Sequence, residues 1–361
     1  MADLRVVRPE EVEAWSAYLT KVAAYDFYDL PSYHALAERR GEGEAVLLAF
    51  EQGRFAILLP LLLRAITSIE GLEQAGAGLH DATSVYGYSG PLLSAEALPP
   101  DVIGSFQEAL IAFAKTRNIV SIFSRLHPLR PGREALAGLG EVQVHGPTVS
   151  IDLTLSEEEQ WRRYRNNHRR NIAKLRAQGY ECSISRNEAA LAAFSDLYRE
   201  TMERRDAHES YFFDDDYFRA LLDMGCFDFV LCHHGGAVAA GALVSRCNGI
   251  AQYHLGGTVE AHLQIAPMKL VFDEARRWAA GSGCSVLHLG GGLGAQCDSL
   301  FNFKAGFSDR RHEFSTWRWI VDEERSADLE EARSKWAASS GRVLKPGGSF
   351  PPYRGAASPT E

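Results

Sequence analysis

Three apolar runs joined by two-residue turns, FDFVLCHH, AVAAGALVSRC and GIAQYHLGG, constrain the second half of this chain more than any other feature. The joints are Gly235-Gly236 and Asn248-Gly249, pairs that accept the positive φ angles of a tight hairpin, so the runs predict an antiparallel β-meander. Ile265, Met268, Phe272, Ala275 and Ala279 follow at helical spacing. Pro267 stands near their start and Gly281 and Gly283 at their end, which predicts an amphipathic helix. SVLHLGGG then reads as a further strand. The first half repeats this plan more loosely: AVLLAF and FAILLPLLL as strands, a helix over residues 101–115, and IVSIFSRL as a strand. The fold class expected is α+β, with mixed, mainly antiparallel sheets flanked by helices and a weak internal duplication.

A chain of 361 residues suits two such units. The expected division is a first domain over 1–150, a basic connecting helix over 151–178, a second domain over 179–335 that ends in a helix over 322–335, and a flexible tail over 336–361. That tail is rich in Pro, Gly and Ser. The formal charge of −9 argues against coating nucleic acid non-specifically, because such binding neutralises many phosphates. The opening MADLRVVRPEEVEAW lacks a basic leader with an apolar core, and FAILLPLLL is too short to span a bilayer, so the expected location is the cytoplasm. Six cysteines without CxxC spacing suggest reduced thiols and no zinc site.

One segment departs from the overall acidity. SEEEQWRRYRNNHRRNIAKLRAQG opens with Ser156 and Glu159, a capping-box pair, and stops at Gly179. Trp161, Tyr164, His168, Ile172 and Leu175 form a stripe that should face a core. Arg162, Arg165, Arg169 and Arg176 flank the stripe, while Arg163, Arg170 and Lys174 lie nearly opposite. A solvated face paired with carboxylates is one explanation; planar guanidinium forks facing phosphate oxygens are the other. Nearer the C-terminus, Lys304 is the lone cation in FNFKAGF, behind the glycine run GGGLG of residues 290–294.

Four stretches in order, YGYSGPLL, FSRLHPL, YRNNHRRNIAKLRAQGYECSI and LGGGLGAQCDSLFNFKAGFS, resemble the FemABX family of aminoacyl-tRNA-dependent peptidyltransferases and its FemAB-like, GNAT-related relatives. The likeness runs from about residue 45 to 320. It implies tandem GNAT-like domains and transfer of an amino acid from its tRNA ester to an amine, forming an amide on a peptidoglycan precursor or a peptide natural product. Aminoacyl-tRNA would be the co-substrate, with no further cofactor, and an amine-bearing peptide or nucleotide-linked compound the acceptor. Some members carry a long coiled-coil arm; residues 187–222 stand in its place here, so an armless member is expected, and a monomer is the simpler expectation for its oligomeric state. Lys304 matches the family's Phe-Lys motif, and Arg165, Arg169 and Arg170 match its basic helix.

Acyl transfer to an amine passes through a tetrahedral oxyanion, so a cation or amide near that oxygen is useful and a strong nucleophile is not. Lys304 is the expected catalytic residue, steadying the oxyanion or the acceptor; a strand lysine reaching to water is the structural alternative. Arg165, Arg169, Arg170, Tyr253, Phe303, Tyr86 and Tyr88 are the expected substrate-binding residues. No general base is singled out: Asp206, His208 and Glu209 have no partner spacing that selects one. His233, His234 and the run Asp214–Asp216 read as solvated turns. Two other functions stand beside this reading. In an acyl-CoA N-acyltransferase, amides of a glycine-rich loop would hold the pyrophosphate where this chain has HLQIAPMKL, with Pro267 removing a donor. A non-catalytic assembly protein would have lost the chemistry altogether.

Overall fold

The computed structural model describes residues 3–345 and 349–359. The chain divides into two compact units, Met1–His145 with Phe314–Glu361, and Gly146–Glu313.

In the first unit, strands Asp3–Val7, Glu44–Gln52 and Phe55–Ala65 pair antiparallel. His80–Thr83 continues the sheet antiparallel to Phe55–Ala65 and parallel to Ile119–Arg125. Helix Pro100–Thr116 lays Val102, Phe106 and Leu110 against Ile57, Leu59 and Leu61 on one face. The opposite face carries Leu47, Ala49 and Leu58 under Trp15 and Leu19. Because both faces are covered, FAILLPLLL is an uninterrupted apolar run and not an alternating one.

The second unit contains the predicted meander. Strands Glu181–Ser185, Phe227–His234, Ala237–Cys247 and Ile250–Thr258 pair antiparallel in that order. Gly235, Gly236, Asn248 and Gly249 all have positive φ, as the two tight turns require. Helix Met268–Gly281 then crosses over, so that Val286–Gly290 returns parallel to Ile250–Thr258. Val149–Asp152 pairs antiparallel on the far side of Val286–Gly290. The crossover helix buries Leu270, Phe272, Ala275 and Ala279 against Val230, Ala240, Ala242 and Val244. Helices Glu188–Arg204 and Asp215–Asp223 pack on the meander; Phe194 and Phe218 set their rings 4.8 and 6.5 Å from Phe229.

Three expectations are corrected. The basic segment is two helices, Glu157–Arg162 and Asn166–Ala177, because the backbone N–H of Arg165 leaves the helical pattern and donates to the Gly306 carbonyl at 2.8 Å. Both helices belong to the second unit. The chain also returns to the first unit earlier than expected: Thr316–Ile320 pairs with Ser121–Arg125, and helix Glu323–Ser339 buries Leu329 beside Ile66, Leu72 and Val120. Finally, much of the segment read as a flexible tail is seated. Arg342–Leu344 pairs with Ala357–Pro359, buried Tyr353 meets the Ser121 hydroxyl at 2.8 Å, and Arg354 pairs with the buried Asp81, which also holds Arg64 at 2.6 Å. Apolar and ionic docking holds a composition that reads as loose in isolation. Of that tail, residues 346–348 and 360–361 lie outside the described residues. No helix among the described residues is long and apolar enough to cross a membrane.

Candidate active site

Lys304 ends a short helix, Ser299–Lys304, that Asp298 starts by accepting from the Phe301 N–H at 2.8 Å. The other Asp298 oxygen accepts from the Leu293 N–H at 3.1 Å, so one carboxylate ties the glycine loop to the helix start. Lys304 does not reach to water. It is 5% exposed, its Nζ donates to the Gly291 carbonyl at 2.7 Å, and it lies 5.3 Å from the centroid of the Tyr253 ring. Burial pushes its ammonium down to about 7 from the ordinary 10.5, opposed by the nearby charge of Asp298. The surround is aromatic: the Tyr253 ring lies tilted 4.7 Å from Phe272, and Phe272 lies 5.4 Å from Phe303. An amine in this setting exchanges a proton near neutral pH, which an exposed lysine does not.

The first turn of helix Asn166–Ala177 is bolted to the end of the Lys304 helix. Arg165 donates from its guanidinium to the Asn302 carbonyl at 3.2 Å, and His168 Nε2 donates to the Phe303 carbonyl at 2.9 Å. Burial drives the His168 imidazole down to about 4, with Lys269 and Arg165 adding to the effect and the Phe303 carbonyl opposing it. The ring is therefore neutral at physiological pH.

Pairing separates the cations of this segment into two groups. Arg162 meets Glu158 at 3.3 Å, Arg163 meets Asp309 at 3.5 Å, and Arg176 meets Asp273 and Glu274 at 2.8 Å. Arg165, Arg169, Arg170 and Lys174 form no ion pair among the described residues; Arg169 donates to Asn166 Oδ1 at 2.5 Å. Arg311, which sequence reading did not select, joins them. It rests over the Phe301 ring at 5.5 Å, and burial together with the charge of Arg165 lowers its pKa, opposed by Asp309. Arg165 and Arg311 are thus like charges set near one another, with Asp309 the carboxylate that partly offsets Arg311.

Behind this surface stands a neutralised network. Asp273, fully buried, accepts from the Tyr164 hydroxyl at 3.1 Å, from Arg176 at 2.8 Å and from Arg276 at 3.0 Å, while Arg276 also donates to Gln160 Oε1 at 2.8 Å. It fixes the arginine helix to helix Met268–Gly281. Among the residues that spacing left open, Asp214 caps helix Asp215–Asp223, His233 meets the Ser183 hydroxyl at 2.9 Å, and His234 stacks on Tyr180 at 4.2 Å.

Six of the eight expected site residues, Lys304, Phe303, Tyr253, Arg165, Arg169 and Arg170, fall in the second unit. Tyr86 and Tyr88 fall in the first. There Gly87 adopts φ +113°, and a Cβ on it would stand 2.0 Å from the Tyr28 ring, so only glycine fits the turn. Tyr88 packs 5.8 Å from Tyr28 and 5.4 Å from Phe314, and burial pushes its phenol up to about 12. Tyr86 is 37% exposed and accepts at its carbonyl from the Tyr33 hydroxyl at 2.9 Å. Beneath them lie two buried pairs that sequence reading missed. His127 meets Asp26 at 3.1 Å, and Arg130 pairs with Asp29. The Asp26–Asp29 capping box just before Pro31 was the available signal.

Residues 162–304, from the arginine helices to Lys304, match the family model described as an acetyltransferase (GNAT) domain. The fold is GNAT-like. A crystal structure of FemX is similar over 89% of this chain and 96% of its own, with a TM-score of 0.65 and 13% identity. The C-terminal DUF2156 domain of a putative lysylphosphatidylglycerol synthetase from Agrobacterium fabrum is similar over 90% and 96%, with a TM-score of 0.53 and 14% identity. L-PGS from Bacillus licheniformis is similar over 86% and 92%, with a TM-score of 0.51 and 12% identity. At these identities the likeness is one of fold, in which the Lys304 helix and the arginine helix are parts of one GNAT-like unit. A search of curated proteins finds no match.

Proposed function

We propose that this protein moves an amino acid from aminoacyl-tRNA to the amine of a peptide or nucleotide-linked acceptor, with Lys304 at the reacting atoms and Arg165, Arg169, Arg170 and Arg311 on phosphate. The observation that carries the reading is the buried Lys304 amine fixed to the Gly291 carbonyl, in the same unit as arginines without carboxylate partners. The acceptor nitrogen attacks the ester carbonyl and forms the N–C bond. Lys304, its ammonium pushed down to about 7 by burial, takes the proton that this nitrogen sheds. The resulting ammonium lies beside the oxyanion and stabilises it only after attack, which lowers the barrier without tightening the ground state. Collapse breaks the ester C–O bond, and the departing ribose oxygen recovers the proton from Lys304. Similarity in fold to FemX and to lysylphosphatidylglycerol synthetases supports a group transfer of this kind.

A second reading, acyl transfer from acyl-CoA, is favoured by the acetyltransferase family model. Against it, the crossover helix begins at Pro267 and the positive-φ Ala266, with no glycine-rich loop of backbone donors. The test is kinetic. Lys304→Ala should lower kcat by about 10²–10⁴-fold with little change in KM, and remove an acid limb near pH 7 from the kcat/KM profile. An unchanged kcat sinks the role given to Lys304.

A further inference from the structure

We infer that His168 is a positioning residue, through which the start of the arginine helix sets where Lys304 stands. The inference rests on the reading of Lys304 above for its catalytic consequence, but not for its geometry. A six-residue helix leaves its last carbonyls without partners inside the helix. Here three of the carbonyls at and just past that end are taken by one turn of another element: Asn302 by the Arg165 side chain, Phe303 by His168 Nε2, and Gly306 by the Arg165 backbone N–H. The arginine helix therefore caps the Lys304 helix from outside.

His168 is 4% exposed, so its hydrogen bond is not shared with solvent. Its ring lies 4.7 Å from Phe307 and 5.6 Å from Phe303. Close approach is built in on the other side as well, since a Cβ on Gly306 would stand 2.2 Å from His168 Nε2. The imidazole thus bonds the chain at residue 303 and packs closely against it at residue 306, on either side of Lys304. Charged neighbours of the ring are Arg165 on its own turn and Lys269 at the start of helix Met268–Gly281; that of Lys304 is Asp298, with the uncharged Tyr253 ring 5.3 Å away. Arg165 and Arg169 flank His168 on the same turn, so a phosphate held by them presses on the element that places the lysine.

The chain has seven lysines, few enough for the Lys304 side chain to be followed by NMR in protein labelled with ¹³C-lysine. His168→Leu keeps the approximate volume and removes the donor, while His168→Gln returns an N–H to a similar place. Lys304 should titrate near 7 in the wild type and in His168→Gln, and move towards the ordinary lysine value by one pH unit or more in His168→Leu. In single-turnover transfer from bulk tRNA charged with labelled amino acids, His168→Leu should lose about tenfold to a hundredfold in rate at saturating tRNA, with the glutamine variant recovering most of it. A Lys304 titration that is the same in all three folded proteins overturns the inference. So does an equal loss in both variants that tracks their melting temperatures. If the titration moves and transfer is never observed, His168 stands as a positioning residue and the catalytic reading of Lys304 falls alone.

Discussion

Replacing Lys304 by methionine should stabilise the protein at neutral pH relative to the wild type and lose that advantage as the pH rises. In the folded chain burial holds the ammonium near 7, against 10.5 when the lysine is free in water. At about 1.4 kcal/mol per pH unit, the three and a half units between these values amount to about 5 kcal/mol of destabilisation in the protonated protein. Between the two values the unfolded chain binds the proton more tightly than the folded one, so wild-type stability rises with pH; from pH 7 to pH 9 about 2 kcal/mol is recovered. Methionine does not titrate. It leaves the Gly291 carbonyl without its donor, an offset of about 1–3 kcal/mol that is the same at both pH values and cancels from the comparison. Urea unfolding of both proteins at pH 7 and pH 9, followed by circular dichroism, gives the difference directly. A gap between variant and wild type that narrows by about 2 kcal/mol agrees with a lysine buried at a cost. A gap constant to within about 0.5 kcal/mol, or one that widens, refutes the burial of a titrating amine at this position.

Other outcomes follow from the same geometry. Reversing charge at Arg169 and Arg170 together should weaken tRNA binding and flatten the dependence of log affinity on log salt by roughly one for each phosphate no longer neutralised, whereas reversal at the paired Arg162 should do neither. Filter binding across a salt series reads both. Asp273→Asn leaves the buried Arg276 with only the exposed Glu157 carboxylate at 3.4 Å and should cost about 3 kcal/mol in urea unfolding.

The hairpins of the second unit were legible because their turn residues and strand lengths are local properties. The helix after Pro267 was legible for the same reason. What escaped depends on partners distant in sequence. Nothing in RRYRNNH marks a break at Arg165; the Gly306 carbonyl, more than a hundred residues later, draws its N–H away. Composition misled at the C-terminus, where Tyr353 and Arg354 find buried partners that no window of Pro and Gly could disclose. Arginine content was also a weaker signal than it looked: only seven of the 38 Lys and Arg residues are lysine, so arginine is this chain's default cation. Pairing, visible only in the fold, distinguishes Arg165, Arg169 and Arg170 from Arg162, Arg163 and Arg176. Lys304 was selected by motif, and its burial, which gives it a reason to act at neutral pH, came from the helix cap at Asp298 and the aromatic surround.

The most direct measurement is to incubate the purified protein with total tRNA charged with labelled amino acids and a pool of peptide and nucleotide-linked amines, with labelled acetyl-CoA in a parallel reaction. Label passing from tRNA into an RNase-resistant amide, and not doing so with Lys304→Ala, is the result expected. Label passing only from acetyl-CoA would contradict the proposed donor and leave the GNAT-like fold serving the other chemistry.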